Sequence, residues 1–216
     1  MDARIMKIAR HRMGTDGQGV STLVAFWGCP LHCRYCINDF CHDPEYPFIE
    51  MSSEEAAQRL MLDEIYYRMT GGGIVFGGGE PLLNSAFIRE VAGFLEEDIP
   101  IRVETSLNAS WEAVETLFDI VDEWIIDIKD MNPEIYHRYT GMDNRQVVDN
   151  CRRLSEKIGS SGMDPKRHIV FRIPLIPEFN SQEDVTRSVS QLQAFGGIDL
   201  FEYKTKASYD KLLDEQ

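Results

Sequence analysis

Cys29, Cys33 and Cys36 fall within eight residues of the stretch GCPLHCRYCIND (28–39), separated by three and then two residues. Cys41 follows five residues later, and Cys151 stands far along the chain. Thiols this close in sequence are poor material for a disulfide framework, and a reducing cytosol opposes one. Clustered cysteines in such a chain point to metal or redox chemistry. Structural zinc takes four nitrogen or sulfur ligands, commonly as two separated pairs. No second pair follows here, although His32, Cys41 or His42 could supply a fourth ligand. Soft thiolates also suit iron–sulfur clusters, which normally take four cysteines. If only these three held a four-iron cluster, one iron would stay open to a substrate or cofactor. Cys151 lies in a helical pattern, VVDNCRRL, and reads as a buried packing residue.

A scaffold must hold those thiols in place, and its pattern is legible. Strand-like runs occur at VSTLVAFWG (20–28), GIVFGG (73–78), IRVETS (101–106), EWIIDIKD (123–130), HIVFRIPLIP (168–177) and IDLFEYKT (198–205). Most read as apolar on both faces, as parallel strands covered by helices should. Helix candidates lie between them. Ser52 with Glu55 is a capping-box signature opening a helix to about Met69. Others cover 84–97, 110–121, 132–139, 145–159, 181–194 and a short stretch from about 207. A further N-terminal strand, RIMKIARH, precedes the first. Six strands alternating with helices predict an α/β fold with right-handed crossovers, either an open partial barrel or an open parallel sheet.

In both arrangements chemistry gathers at the carboxyl ends of the strands. The cysteines follow the first strand and Gly77–Pro81 ends the second. Glu104, Thr105 and Ser106 end the third, and Asp127 and Lys129 the fourth. Arg172 lies within the fifth strand and Lys204 at the end of the sixth. A buried arginine such as Arg172 needs an anionic partner. Asp127 and Lys129 alternate along a strand and so share a face.

Composition narrows the partners. The 216 residues carry a net charge of −14, which repels phosphate backbones and anionic membrane surfaces. The N-terminus has no apolar core of signal-peptide length, and no apolar run approaches a membrane span. The chain reads as cytoplasmic and as a single domain over 1–216, without repeats or linkers.

The sequence resembles the radical S-adenosylmethionine (SAM) superfamily through Cys29-x3-Cys33-x2-Cys36 with Tyr35 before the third cysteine. The likeness extends to the pyruvate formate-lyase activating enzymes and other glycyl-radical-enzyme activases. Its pieces are DGQGV (16–20), GCPLHCRYCIND (28–39), GGGEPLL (77–83), VET (103–105), IIDIKDMN (125–132), YTG (139–141) and RIPLIPEFN (172–180). They stand in the family's order and cover most of the chain to about residue 180.

The resemblance implies a partial (β/α)6 TIM-type barrel, with a core over about 18–206 and a short N-terminal strand extension. It implies that Cys29, Cys33 and Cys36 hold a [4Fe–4S] cluster whose fourth iron is chelated by SAM. Reductive cleavage of SAM then gives methionine and a 5′-deoxyadenosyl radical that removes a substrate hydrogen. By the same resemblance Tyr35 belongs to the cofactor site, and Gly77, Gly78, Gly79 and Glu80 hydrogen-bond the SAM amino group. Asn38 lies near its adenosine, Asp127 and Lys129 near SAM, and Arg172 meets its carboxylate. Glu104, Thr105 and Asp127 are the expected ligands of a monovalent cation, with Glu104 standing where the best-known members have aspartate. Lys204 joins this set in place of a histidine that family members often carry after the last strand.

Cys41 is expected to stay outside the cluster, and His32 takes no role. Trp27 and Phe26 read as core. The chain lacks the inserted cysteine-rich segment of several activase subfamilies, so one cluster is expected. It ends at Gln216, where activases typically continue, and a short end would leave the barrel open to a large substrate. The leading expectation is an activase working on a glycyl radical enzyme with a flavodoxin- or ferredoxin-type electron donor. A radical SAM enzyme acting directly on a peptide or small metabolite is the second reading. A non-catalytic, zinc-stabilised domain is the third.

Overall fold

The apolar runs become strands of one sheet. In a computed structural model, which describes residues 1–203, these are β1 (Asp2–Met13), β2 (Val20–Phe26), β3 (Ile49–Ser52), β4 (Gly73–Gly78), β5 (Ile101–Thr105), β6 (Glu123–Asp127), β7 (Ile169–Leu175) and β8 (Gly197–Glu202). They pair in the order β3-β1-β2-β4-β5-β6-β7-β8. β2 and β4 to β8 run parallel, whereas β1 is antiparallel to β2 and β3 to β1. The helices are α1 (Ser53–Leu60), α2 (Glu64–Thr70), α3 (Ser85–Ala92), α4 (Trp111–Leu117), α5 (Pro133–Thr140), α6 (Arg145–Ser160), α7 (Pro165–His168) and α8 (Gln182–Leu192).

The sheet stays open at β3 and β8 but curls strongly. Arg172 of β7 donates to the carbonyl of Thr15, in the β1–β2 turn, although four strands separate β7 from β1. This is the expected partial barrel of six parallel strands. Its N-terminal extension is larger than RIMKIARH suggested, because β3 adds to the edge of β1.

The two faces of the sheet differ more than the sequence reading allowed. Val24, Phe26, Ile74, Phe76, Val103, Ile126 and Phe171 are buried in one core with Phe87, Ile88 and Val91 of α3. The alternate positions of β5, Arg102 and Glu104, face the inside of the curl together with Asp127 and Arg172. Strict period-two alternation in IRVET separates the sets. The concave face therefore carries charged side chains among apolar ones such as Leu23 and Ala25, whereas the helix-covered face is apolar.

The helix expected from Ser52 to Met69 is divided. Ser52 does cap α1, accepting from the Glu55 N–H at 3.2 Å. A 3-10 turn at Met61–Asp63 then interrupts the helix. Asp63 is fully buried and turned onto the sheet, where it accepts from Arg10 Nε (2.9 Å) and Thr22 Oγ1 (2.7 Å). Arg10 and then Thr22 hold its carboxyl below the ordinary carboxylate range, against the opposing effect of burial. Asp63→Asn should cost about 2 kcal/mol, a fall of about 4–8 °C in Tm. A lowered folded pKa stabilises above the ordinary value, so the gap between variant and wild type should narrow as pH falls below about 4. Thermal melts across pH check both statements. The reciprocal capping box appears at α8 instead, between Ser181 and Asp184. The helix expected from about 207 and the Lys204 position lie outside the described residues. Among the described residues no helix is long and apolar enough to cross a membrane.

Candidate functional site

The cysteine loop leaves the end of β2 and is docked at three places. Gly28 donates to the Cys41 carbonyl at 3.1 Å and accepts from the Glu80 N–H at 2.8 Å. The third anchor is the end of α5. That helix stops because Gly141 adopts a left-handed conformation (φ 80°) and caps it. The terminal carbonyls have no partner within the helix. Thr140 accepts from the His32 N–H (2.9 Å) and Tyr139 from the Arg34 N–H (3.1 Å). The YTG motif is thus the seat of the cysteine loop.

The glycine-rich end of β4 crosses this loop at backbone distance. Gly79 donates to the Phe26 carbonyl at 2.9 Å. A Cβ there would stand 2.1 Å from the Gly28 carbonyl oxygen, so no side chain fits. Asn38 donates from Nδ2 to the Gly78 carbonyl at 2.9 Å, closing the loop onto the same segment. Glu80 is fully buried. Its carboxylate accepts from Thr105 Oγ1 (2.5 Å), Ser106 Oγ (2.6 Å), the Ser106 N–H (3.0 Å) and the Leu82 N–H (3.2 Å). Burial pushes its pKa up while those donors pull it down. Glu80 therefore bolts the end of β4 to the end of β5.

These elements surround a cavity of about 770 Å³ inside the curl. Of the residues singled out in the sequence, Cys29, Cys33, Cys36, Asn38, Gly78, Gly79, Glu80, Glu104, Thr105, Asp127, Lys129 and Arg172 line it. Gly77 packs beneath, where an added Cβ would press on Leu23 and Glu104. Tyr35 turns away from the cavity. Its ring lies against Phe179 (5.7 Å) and Tyr139 (6.2 Å), and its hydroxyl donates to Glu178 Oε2 at 3.0 Å. It wedges the cysteine loop rather than lining the site. Ser106, at the end of the third strand, lines it as well; Lys7, Arg12, Thr15 and Tyr203 also line the cavity and were missed in the sequence. Tyr203 donates to the Tyr35 carbonyl, tying β8 to the cysteine loop.

The electrostatics are paired. Arg172 Nη1 meets Glu104 Oε1 at 2.7 Å, so its anionic partner in this structure is internal. Lys129 reaches back to Asp127 Oδ2. Burial opposes the Lys129 charge, but Asp127 and then Cys33 outweigh it and hold its pKa well above the usual value. Asp127 Oδ1 is buried with no hydrogen-bond partner. Burial pushes the Cys33 thiol up to about 11 and raises Cys29 and Cys36, while Lys129 pulls Cys33 and Cys36 down. A metal would have to displace those protons.

The donor set fits an iron–sulfur cluster. All three thiols are free, partly exposed and face one cavity. Cys41 is buried and does not line it, and Cys151 is buried in the core. Cys151 is the packing residue its helical pattern suggested. Among the described residues no three His, Cys, Asp or Glu side chains gather about one metal ion. A single zinc needs such a convergence, whereas the cysteines of a four-iron cluster each take a different iron.

The sequence profile of the Radical SAM superfamily matches residues 24–188, and the chain belongs to that superfamily. Membership implies a [4Fe–4S] cluster and SAM. The chain is 37% identical over 131 residues to the (2S)-3-sulfopropanediol dehydratase activating enzyme of Klebsiella oxytoca, covering 60% of this chain and 39% of that enzyme. It is 29% identical over 216 residues to the pyruvate formate-lyase-activating enzyme of Listeria monocytogenes, covering 91% and 81%. Among solved structures, a domain of pyruvate-formate lyase-activating enzyme from Bacteroides vulgatus superposes with TM-score 0.52 at 24% identity, covering 66% of this chain and 91% of that one. Streptococcus suis SuiB bound to S-adenosylmethionine superposes with TM-score 0.61 at 16% identity, covering 88% and 44%. The two superpositions show the shared fold.

Proposed function

We propose that the chain activates a glycyl radical enzyme by removing an α-hydrogen from one of its glycines. The observation that carries this reading is the convergence of three free thiols, the Gly78–Glu80 edge and the Asp127–Lys129 pair on one cavity. The relatives named above as activating enzymes direct it toward this substrate class.

Cys29, Cys33 and Cys36 would hold the cluster, leaving one iron without a protein ligand. With SAM bound there, the site would supply a 5′-deoxyadenosyl radical by reductive cleavage, the electron coming from an external donor protein. The protein binds, orients and excludes water. The carbonyls of the Gly78–Glu80 segment suit an amino group, and Lys129 and Arg172 suit a carboxylate. Asn38 fixes the loop near the adenosine end. The unpartnered Asp127 Oδ1, with Glu104 beside it, suits a monovalent cation; the Thr105 hydroxyl already donates to Glu80. A small flavodoxin- or ferredoxin-type protein is the expected donor.

The test is to mix anaerobically reconstituted, reduced protein and SAM with candidate glycyl radical enzymes from the same genome. A glycyl EPR signal on the partner is expected. SAM cleavage with a modified peptide or metabolite and no glycyl signal would overturn the activase reading.

A further inference from the structure

We propose that an acidic one-electron carrier docks on the outer face of the cysteine loop, against Arg34 and Arg138. This rests on the cluster reading above, which needs an electron from outside whichever substrate follows. The surface shows a break in its charge pairing here. Among the described residues, every arginine except Arg34, Arg138 and Arg167 forms an ion pair with a carboxylate. Carboxylates are in excess on a chain of net charge −14, yet these three have none. Two of them lie together.

Arg34 and Arg138 meet around the end of α5. Arg34 donates its backbone N–H to the Tyr139 carbonyl at 3.1 Å. The Arg138 guanidinium lies 5.5 Å from the centre of the Phe179 ring and donates to the Phe179 carbonyl. Tyr35, next to Arg34 in the chain, packs on the same ring at 5.7 Å. Both arginines are exposed, and neither lines the cavity. The flanking carboxylates Glu178 and Asp143 are engaged by Tyr35 and Arg145. Glu134, one turn before Arg138 on α5, forms no ion pair with it.

The position suits electron entry. Arg34 directly follows Cys33, with the two Cα atoms about 3.8 Å apart. Tunnelling weakens steeply with distance, so a carrier must come close to the cysteine loop. The inner side of that loop faces the cavity that SAM and substrate would fill. The outer side is left for the carrier. One electron passes from the reduced carrier to the cluster, and no bond or proton is exchanged. The net charge repels an acidic protein from most of this surface. Electron-transfer encounters bury little area, under about 1,200 Å² in total, so a few charges steer them. A guanidinium fork matches a carboxylate.

The test uses the reconstituted holoenzyme and, as probe, a purified flavodoxin photoreduced to its hydroquinone. Flavodoxin affinity is read by surface plasmon resonance and cluster reduction by EPR. Arg34→Glu combined with Arg138→Glu should lower both the affinity and the reduction rate roughly tenfold. Reduction by dithionite should be unchanged, because a small reductant needs no docking face. Arg34→Lys with Arg138→Lys should keep most of the affinity, and Arg167→Glu all of it. Added salt should weaken binding to wild type but not to the double Glu variant. No flavodoxin binding by wild type, an affinity that survives the double Glu substitution, or an equal loss with dithionite would each overturn the proposal. Wild-type protein that dithionite cannot reduce would count against the cluster reading, while the affinity ratio still decides the docking face.

Discussion

Cys33→Ala should strip the reconstituted protein of its iron, and Cys41→Ala should leave the iron content near four per chain. Both residues are thiols in the same segment, and both are pushed up to about 11 by burial. What separates them is direction. Cys33 lines the cavity with Cys29 and Cys36, while Cys41 is buried away from it and its backbone carbonyl serves the loop by accepting from Gly28. Loss of a ligand removes a metal–sulfur bond outright. Its effect on SAM cleavage should exceed the roughly 10–100-fold typical of residues that only orient ligands. Iron analysis and 5′-deoxyadenosine formation measure the two effects. Iron loss in Cys41→Ala would mean that the cluster has four protein ligands and no open iron.

Glu80→Ala should be the most damaging substitution outside the cysteines. It leaves two hydroxyls and two backbone N–H groups around an emptied buried site. Unsatisfied buried donors cost about 1–3 kcal/mol each before relaxation. A net loss of about 3 kcal/mol corresponds to a fall of about 6–12 °C in Tm. Glu80→Gln should recover part of this, because its carbonyl can still accept from Thr105 while its amide confronts the Ser106 N–H. A thermal melt of the apo protein separates this structural role from cofactor binding. If Glu80→Ala melts like wild type, the bolt between β4 and β5 does not stabilise the fold.

The readable parts of the site are those set by local spacing. Three cysteines in one loop, a glycine run after an apolar strand and an Asp-x-Lys pair are visible within a few residues each. The strands were visible for the same reason, through alternation and length. What the sequence hid depends on contacts between distant segments. Glu80 looked like part of a ligand edge, and its partners at Thr105 and Ser106 arrive only when β4 and β5 align. Arg172 looked like a residue awaiting an anion until β5 brought Glu104 to it. Tyr35 adjoins Cys36 in sequence, yet Tyr139 and Phe179 draw its ring out of the cavity. Asp63 ends a helix early because Arg10 and Thr22, on two other strands, claim its carboxylate. Lys7 alternates with Ala9 in β1, but only pairing with β2 shows which face is inside.

On the proposed function, three protein thiolates hold a cluster with one iron left for SAM. The most direct measurement is 5′-deoxyadenosine formed from SAM by anaerobically reconstituted protein on chemical reduction. A brown, iron-loaded protein that forms 5′-deoxyadenosine only when reduced is expected. A colourless, zinc-loaded protein that leaves SAM intact would contradict it.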